Sequence, residues 1–245
     1  MATQLDPVSL SADLLYTVKT EGDADWLQRQ LATLERPRLE RALSTRTRKL
    51  SFWLNCYNAY GHVLMEADDR SLLEGNVLDR WTFFARDRIP VGGVWLSLND
   101  LEHGLLRRSK HRWGFGYLPR PFPSSFERQF RLPECDPRIH FGLSRGGDTC
   151  PPIAIYSPAD VDADLDIAVE WFLEENVGYD DESAAARIPR LFRRYRGDFG
   201  GKRGIVEFLQ EYNAVPAGVT PSLEYEALDR APEFDTDLEF DDLRP

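Results

Sequence analysis

Cysteine is scarce in this chain of 245 residues, and its three copies follow no paired spacing. Cys56, Cys135 and Cys150 are separated by 79 and 15 residues, which excludes the close pairs of zinc knuckles and gives no disulfide framework. This usage predicts a reducing, cytoplasmic location. No two cysteines are close enough in sequence to form the usual ligand pair of a metal site. No cofactor is predicted.

Long apolar runs are missing as well. The longest are about half of what a bilayer span requires. Residues 1–15 contain acids and no basic region before an apolar run, so neither a secretory signal nor a membrane contact is predicted. The chain also has no internal repeat. It has no glycine-rich phosphate loop, so the sequence does not predict one of the common nucleotide-binding motifs.

Lysine is the scarcest charged residue: the chain has four lysines against 26 arginines, and its formal net charge is -11. An acidic, lysine-poor surface suits a salt-rich cytoplasm and favours a halophilic source, with an ordinary acidic mesophilic protein as the alternative. The negative charge argues against nucleic acid as a partner, whereas a protein or peptide partner stays open. The basic residues between 187 and 203 are interpreted as a solvated face that offsets nearby acids.

The remaining composition is that of a folded protein, because 42% hydrophobic residues can fill a sizeable core. We expect one α+β domain with three parts. Residues 1–44 form a helical N-terminal extension, residues 45–230 form the core, and residues 231–245 form an acidic disordered tail. Six acids between 233 and 242 indicate the tail: Glu233, Asp235, Asp237, Glu239, Asp241 and Asp242.

The periodicity of apolar residues predicts most elements of the core. Residues 50–67 are apolar on nearly every side and predict a central buried helix, which packs on a small, mainly antiparallel sheet. Residues 88–97 predict a hairpin with a Gly-Gly turn, and Ser97 with Asp100 predicts a capped helix over 98–108. Within that helix Glu102 and His103 are expected about 100° apart.

The second half of the chain is predicted to mix helices and strands. Residues 109–135 show no periodicity and predict a long irregular segment, of a kind that is often functional. Alternation predicts a strand over 139–143. Further on we expect a helix over 160–175, a disordered turn over 178–183, a strand over 188–195, a helix over 204–212 and an edge strand over 223–228.

One stretch brings two chemically active side chains close together in sequence. His140 lies in the strand predicted over 139–143, and a Gly-Gly turn then leads to Cys150, which two prolines follow. A histidine and a thiol on rigid backbone can serve as base and nucleophile.

Three blocks of the chain resemble the family catalogued as domain of unknown function 547. They read FWLNCYNA at 52–59, LNDLEHGLLR at 98–107 and DPRIHFGLSRGGDTCPP at 136–152. The resemblance extends over roughly residues 45–230 and implies a list of residues more than an activity. Members of this family commonly carry a further cysteine where this chain has Arg145, so a dithiol redox function is disfavoured.

These blocks define the candidate site. Cys150 is the candidate nucleophile, His103 or His140 the base, and Glu102, Asp100, Asn55 or Asn58 the group that orients the base. Asn55 and Arg138 are the candidate binding residues. Such residue types match a cysteine hydrolase or acyl transferase of the papain or transglutaminase kind, although the order of histidine before cysteine fits those enzymes poorly. Cys56, on the central helix, is the weaker nucleophile and is interpreted as a buried apolar group.

Two alternatives use the same residues. In a non-catalytic binding or scaffold domain, Glu102 and His103 with Arg107 or Arg138 would form an ion-paired core network, and His140 would be a satisfied core histidine. In a zinc protein, His103, His140 and Cys150 would be the ligands.

Overall fold

The computed structural model describes residues 5–67, 82–144 and 154–227, and the first of these ranges begins with a helical layer. Its helices are α1 (Pro7–Lys19), α2 (Asp25–Ala32) and α3 (Arg36–Ala42), as the sequence predicts. Helix α1 begins where the Asp6 carboxylate accepts hydrogen bonds from the backbone N–H groups of Val8 and Ser9.

The central helix α4 (Arg46–Ala67) includes the predicted segment 50–67 and is buried around almost its whole circumference between residues 50 and 61. Helix α1 lies along it. The indole of Trp53 donates a hydrogen bond to the carbonyl of Phe130 (3.0 Å), so even the polar atom of this large buried side chain is satisfied. The prediction of a central buried helix is confirmed.

A hairpin follows, in which β1 (Ile89–Val91) pairs antiparallel with β2 (Val94–Leu96). Its turn requires glycine, because Gly92 and Gly93 have φ values of 61° and 75°. Both N–H groups of the turn donate to carbonyls at the end of α2, those of Leu31 and Ala32. The hairpin thereby attaches to the N-terminal layer.

The helix predicted over 98–108 forms with a different winding. Ser97 and Asp100 make the expected reciprocal cap. Residues Asp100–Leu106 then form a π-helix, in which the N–H of Arg107 bonds to the carbonyl of Glu102. A π-helix separates consecutive side chains by a smaller angle than an α-helix, and short π-helical turns often occur at functional sites. Arg108 and Ser109, both with positive φ, end it.

The prediction of a strand over 139–143 is wrong. After α5 (Ser125–Phe130), which lies within the segment predicted as irregular, the chain forms the short helix α6 (Ile139–Gly142). The ring of Pro137 fixes the φ angle of that residue. The Asp136 carboxylate accepts a hydrogen bond from the N–H of Arg138, which begins the helical turn. All four residues of α6 are buried. The alternation of apolar residues therefore does not correspond to one buried and one exposed face, as it would in a strand at the surface.

The last third of the described chain contains α7 (Val161–Asn176), β3 (Gly178–Asp180), β4 (Ala185–Pro189), α8 (Arg190–Arg194), α9 (Gly201–Glu211) and β5 (Ser222–Glu226). Strand β4 pairs antiparallel with β3 and parallel with β5. The predicted strand 188–195 is therefore mostly helix, since β4 ends at Pro189, and the predicted turn 178–183 includes a strand. The predicted helices 160–175 and 204–212 and the edge strand are confirmed to within a few residues.

The buried apolar residues form two clusters, and α6 lies where they meet. Ile139 belongs to the cluster built on α1 to α4, the hairpin and the π-helix, whereas Phe141 belongs to the cluster built on α7, β4, α8 and α9. The α+β class in a single domain is confirmed. The sheet of three strands packs in the second cluster, so α4 is surrounded mainly by helices, and a papain-like arrangement of helix on sheet is not confirmed.

Two predictions concern residues outside the described ranges: the Cys150 segment and the acidic tail over 231–245. In the part of the chain that is described, no helix is both long enough and apolar enough to cross a membrane.

Candidate functional site

His140 lies at the junction of the two core clusters, where α6 holds its side chain with no exposed surface. Its Nε2 is 2.8 Å from Oδ2 of Asp198, which belongs to the loop between α8 and α9. The imidazole also stacks on the ring of Tyr195, with ring centroids 3.8 Å apart. A carboxylate and an aromatic face thus fix both the position and the orientation of this histidine.

Asp198 is the centre of a buried group of charges. Arg107 binds its two carboxylate oxygens through Nε (2.6 Å) and Nη2 (3.2 Å), and Nζ of Lys110 lies 2.9 Å from Oδ1. Burial alone would raise the pKa of Asp198, but the hydrogen bond from His140 and the charge of Arg107 hold it well below its usual range. Asp198 is therefore ionised at neutral pH, and Nε2 of His140 donates to it.

The π-helix contributes the rest of this group, and its winding brings neighbouring side chains together. Glu102 and His103, expected on different faces, approach to 3.7 Å between Oε1 and Nδ1. The hydroxyl of Tyr195 donates to Glu102 (2.8 Å). We name the set the Asp198 cluster and define it as Glu102, His103, Arg107, Lys110, His140, Tyr195 and Asp198.

Within the Asp198 cluster the two histidines differ in their partners. Nδ1 of His103 accepts from Nη1 of Arg107 at 2.9 Å, because a guanidinium can only donate. Burial lowers the pKa of His103 to about 3, and the positive charge of Arg107 adds to this effect. His103 is consequently neutral and a weak base at pH 7, whereas His140 faces an ionised carboxylate.

Asn55 and Asn58 lie one turn apart on α4, and both use their amides on backbone groups. Asn58 donates to the carbonyl of Gly142 (2.9 Å) and accepts from the N–H of Ser144 (2.9 Å). Asn55 donates to the carbonyl of Tyr156 and accepts from its N–H, both at 2.9 Å. One turn of α4 therefore holds the chain on both sides of residues 145–153, the segment to which Cys150 belongs.

Arg138, predicted in the same site, points elsewhere. Its guanidinium binds Asp136 (2.8 Å), Asp162 (2.6 Å) and Asp166 (2.8 Å), and Arg46 also binds the first two of these acids. We name these five residues the Arg138 network. It ties α4, α6 and α7 together on the outer side, so the structure does not bring Arg138 to His140. Asp100 is also apart, since it caps the π-helix and pairs with Arg120.

The cysteines that the structure describes are poor nucleophiles. Burial raises the pKa of Cys56, which has no exposed surface, and raises that of Cys135 to about 12. Cys150 lies outside the described residues. Over the described ranges no group of three or more His, Cys, Asp or Glu side chains could hold a metal ion, and a zinc site that includes Cys150 stays a prediction.

Sequence reasoning identified Glu102, His103 and His140, but missed Asp198 and Tyr195. Both lie in the arginine-rich segment that was interpreted as a solvated face. The one available signal was a single acid, Asp198, next to glycines and aromatic residues between arginines. No spacing rule relates it to a histidine 58 residues earlier.

Comparison with known proteins agrees with the three blocks of motifs. Residues 41–173, more than half of the chain, match the sequence model of the family described as "Protein of unknown function, DUF547". The match includes both histidines and Arg107 of the Asp198 cluster, while Tyr195 and Asp198 lie beyond it. No curated protein and no solved structure matches the chain at a significant level. On the extent of the family match, this chain belongs to the DUF547 family.

Proposed function

We propose that the protein is a cysteine-dependent hydrolase or acyl transferase, with Cys150 as the nucleophile and His140 as the base. The observation that carries the proposal is the buried, ionised carboxylate of Asp198 on Nε2 of His140. A nucleophile needs a base, and the base needs a third group that orients it. Asp198 takes the place of the orienting groups that the sequence suggested.

Asp198 determines which nitrogen of His140 carries the proton. Since the carboxylate accepts the Nε2 proton, the lone pair of the neutral ring is on Nδ1. When Nδ1 takes a proton from a thiol, Asp198 stabilises the resulting imidazolium at a distance of 2.8 Å. His103 is less suited to this role because its Nδ1 already accepts from Arg107.

The other predicted residues act in support. Glu102 holds the hydroxyl of Tyr195, on whose ring His140 stacks. Asn58 holds the chain before the segment of Cys150 and Asn55 holds it after that segment. Arg107 and Lys110 bind the Asp198 carboxylate and keep it in place.

The reaction follows from these roles. The Cys150 sulfur attacks an acyl carbonyl, a carbon–sulfur bond forms, and His140 gives the proton it received to the departing amine or alcohol. The acyl-thioester then reacts with water, or with an acceptor amine or alcohol, whose proton passes to His140. The thiol is regenerated, and the products are the acid or the transferred acyl group.

Alkylation of the native protein tests the proposal. With iodoacetamide at pH 7 and quantification by mass spectrometry, Cys150 should react on the order of tenfold or more faster than Cys56 and Cys135, whose burial disfavours the thiolate. The pH midpoint of the Cys150 rate should lie below about 8.5, the value for an unperturbed thiol. Slow labelling of all three cysteines would contradict the proposal.

A binding or scaffold module is the second candidate, and one observation favours it. Arg107, with 1% of its side chain exposed, engages both oxygens of Asp198, so the carboxylate also has a structural partner. Two results together would support this candidate over the first. Cys150 would react slowly with iodoacetamide, and the Cys150→Ser variant would hydrolyse p-nitrophenyl acetate at the same rate as the native chain.

A further inference from the structure

The segment between the π-helix and α5 exposes several large apolar side chains. Trp113 and Phe115 are 45% exposed and Tyr117 is 53% exposed, and they follow one another at alternate positions. We name these three residues the aromatic surface. Three exposed aromatic side chains on one short segment are the kind of patch that marks a binding site.

Positive charge surrounds the aromatic surface. The guanidinium of Arg112 lies over the ring of Trp113 (5.0 Å), and that of Arg196 lies over the ring of Tyr117 (5.6 Å). A Cβ added at Gly201 would lie 3.3 Å from the Tyr117 hydroxyl, and the next residue along the chain is the exposed Lys202. An acidic, aromatic-bearing ligand would complement such a surface.

The aromatic surface is attached firmly to the Asp198 cluster. The N–H of Gly197 donates to the carbonyl of Phe115 (2.7 Å). Gly116, with φ of 81°, packs so closely that an added Cβ would lie 2.6 Å from Oδ1 of Asp198. Whatever binds across this segment therefore lies beside the candidate site.

The described part of the chain also leads to this surface at its C-terminal end. Tyr225, in β5, is close enough to Arg196, Arg193 and Tyr117 for their charges to act on its pKa, which burial raises. Among the residues of known position, neither the buried hydroxyl of Tyr225 nor the buried Nε of Arg196 has a hydrogen-bond partner. Polar atoms of this kind are suited to a further ligand.

The sequence that follows β5 has the complementary chemistry. Residues 228–245 contain seven acids and two arginines. Between 233 and 243 the acids are interleaved with four apolar residues, Phe234, Leu238, Phe240 and Leu243. At roughly 3.3 to 3.6 Å per extended residue, the seven residues from 227 to Phe234 span up to about 25 Å, so the segment is long enough to cross the surface.

We propose that residues 233–243 dock on the aromatic surface, with their acids against Arg112, Arg196 and Lys202 and their apolar side chains against Trp113 and Tyr117. The chain thereby carries its own occupant for a surface that lies beside the Asp198 cluster. This inference does not depend on the cysteine chemistry, because it stands on the surface and the tail alone.

Zero-length cross-linking of the full chain tests the docking. A carbodiimide joins a carboxylate to a lysine amine in contact with it, and the chain has only four lysines. Peptide mapping should find tail acids joined to Lys202 in the monomer, at several times the yield for Lys19, which is exposed on α1. The yield should fall several-fold in 1 M NaCl, where the Debye length is about 3 Å.

Two variants give the test its specificity. The double variant Phe234→Ser with Phe240→Ser keeps every acid, so a several-fold loss of the Lys202 cross-link would report the apolar contact. Trp95→Ser is the matched control, since Trp95 is 65% exposed on β2, and it should change nothing. Equal yields at Lys202 and Lys19, or cross-links formed only between two chains, would overturn the proposal.

Discussion

Two groups of ion pairs lie on either side of the short helix α6, and they differ in burial. In the Asp198 cluster, the side chains of Arg107, His140 and Asp198 are at most 1% exposed. In the Arg138 network, Asp136 and Arg138 are 8% and 19% exposed, but the carboxylates of Asp162 and Asp166 are 47% and 45% exposed. Arg138 and His140 are two residues apart, yet each belongs to a different group.

Burial decides what each group can do. Charges removed from water lose hydration that their partners must replace, so removing one partner of the Asp198 cluster leaves an uncompensated buried charge. Half-exposed pairs keep much of their hydration, and the loss of one partner is largely offset by solvent. The Asp198 cluster is therefore suited to fixing protonation states, and the Arg138 network to joining helices.

The largest expected effect comes from neutralising one acid in each group. Asp198→Asn leaves Arg107 buried without its bidentate carboxylate partner and should lower the free energy of unfolding by about 3 to 5 kcal/mol. Asp162→Asn, the matched change in the Arg138 network, should cost no more than about 1 kcal/mol, since Arg46 and Arg138 keep other partners.

Urea denaturation followed by circular dichroism measures both values. Equal costs for the two variants would show that burial does not separate the groups. The variant Asp198→Glu serves as a further control, because it keeps the charge while altering the geometry.

A smaller effect should appear in the dependence of stability on pH. His103 titrates near pH 3 in the folded protein and at 6.5 when unperturbed, so the unfolded state binds more protons between these values. The free energy of unfolding should therefore fall as the pH is lowered from 6.5, by about 2 kcal/mol at pH 5. Asp198 does not contribute between pH 5 and 6.5, because its pKa is 3.8 when unperturbed and lower still in the folded protein.

His103→Gln isolates this contribution, since a glutamine oxygen can still accept from Arg107 but does not titrate. Denaturation curves at pH 6.5 and pH 5 should lie closer together for this variant than for the native chain. His111→Gln, at a partly exposed position, is the control. An unchanged slope in His103→Gln would mean that the buried ring takes up its proton in the folded state.

The comparison also shows which parts of the site the sequence reveals. Helices α1 to α4 follow from apolar periodicity because each has a polar side or a long buried run. Strand and helix could not be separated over 139–143, since a short segment buried on all sides has no exposed face to set its period. Asp198 was missed because its partnership with His140 depends on the packing of α6 against the loop after α8, which no local pattern encodes.

The smallest effect should distinguish the groups by their response to salt. Arg138→Gln removes one cation from the Arg138 network, while Arg46 still neutralises Asp136. We expect a loss of at most about 1 kcal/mol at low ionic strength, shrinking towards zero in 1 M NaCl, because the carboxylates of Asp162 and Asp166, which lose this partner, are half exposed and screened. Urea denaturation at both salt concentrations measures the change.

Asp198→Asn should keep most of its cost under the same conditions, because its partners are shielded from the solvent. A cost of Arg138→Gln that does not change with salt would place the Arg138 network with the Asp198 cluster and remove the distinction that burial draws between them.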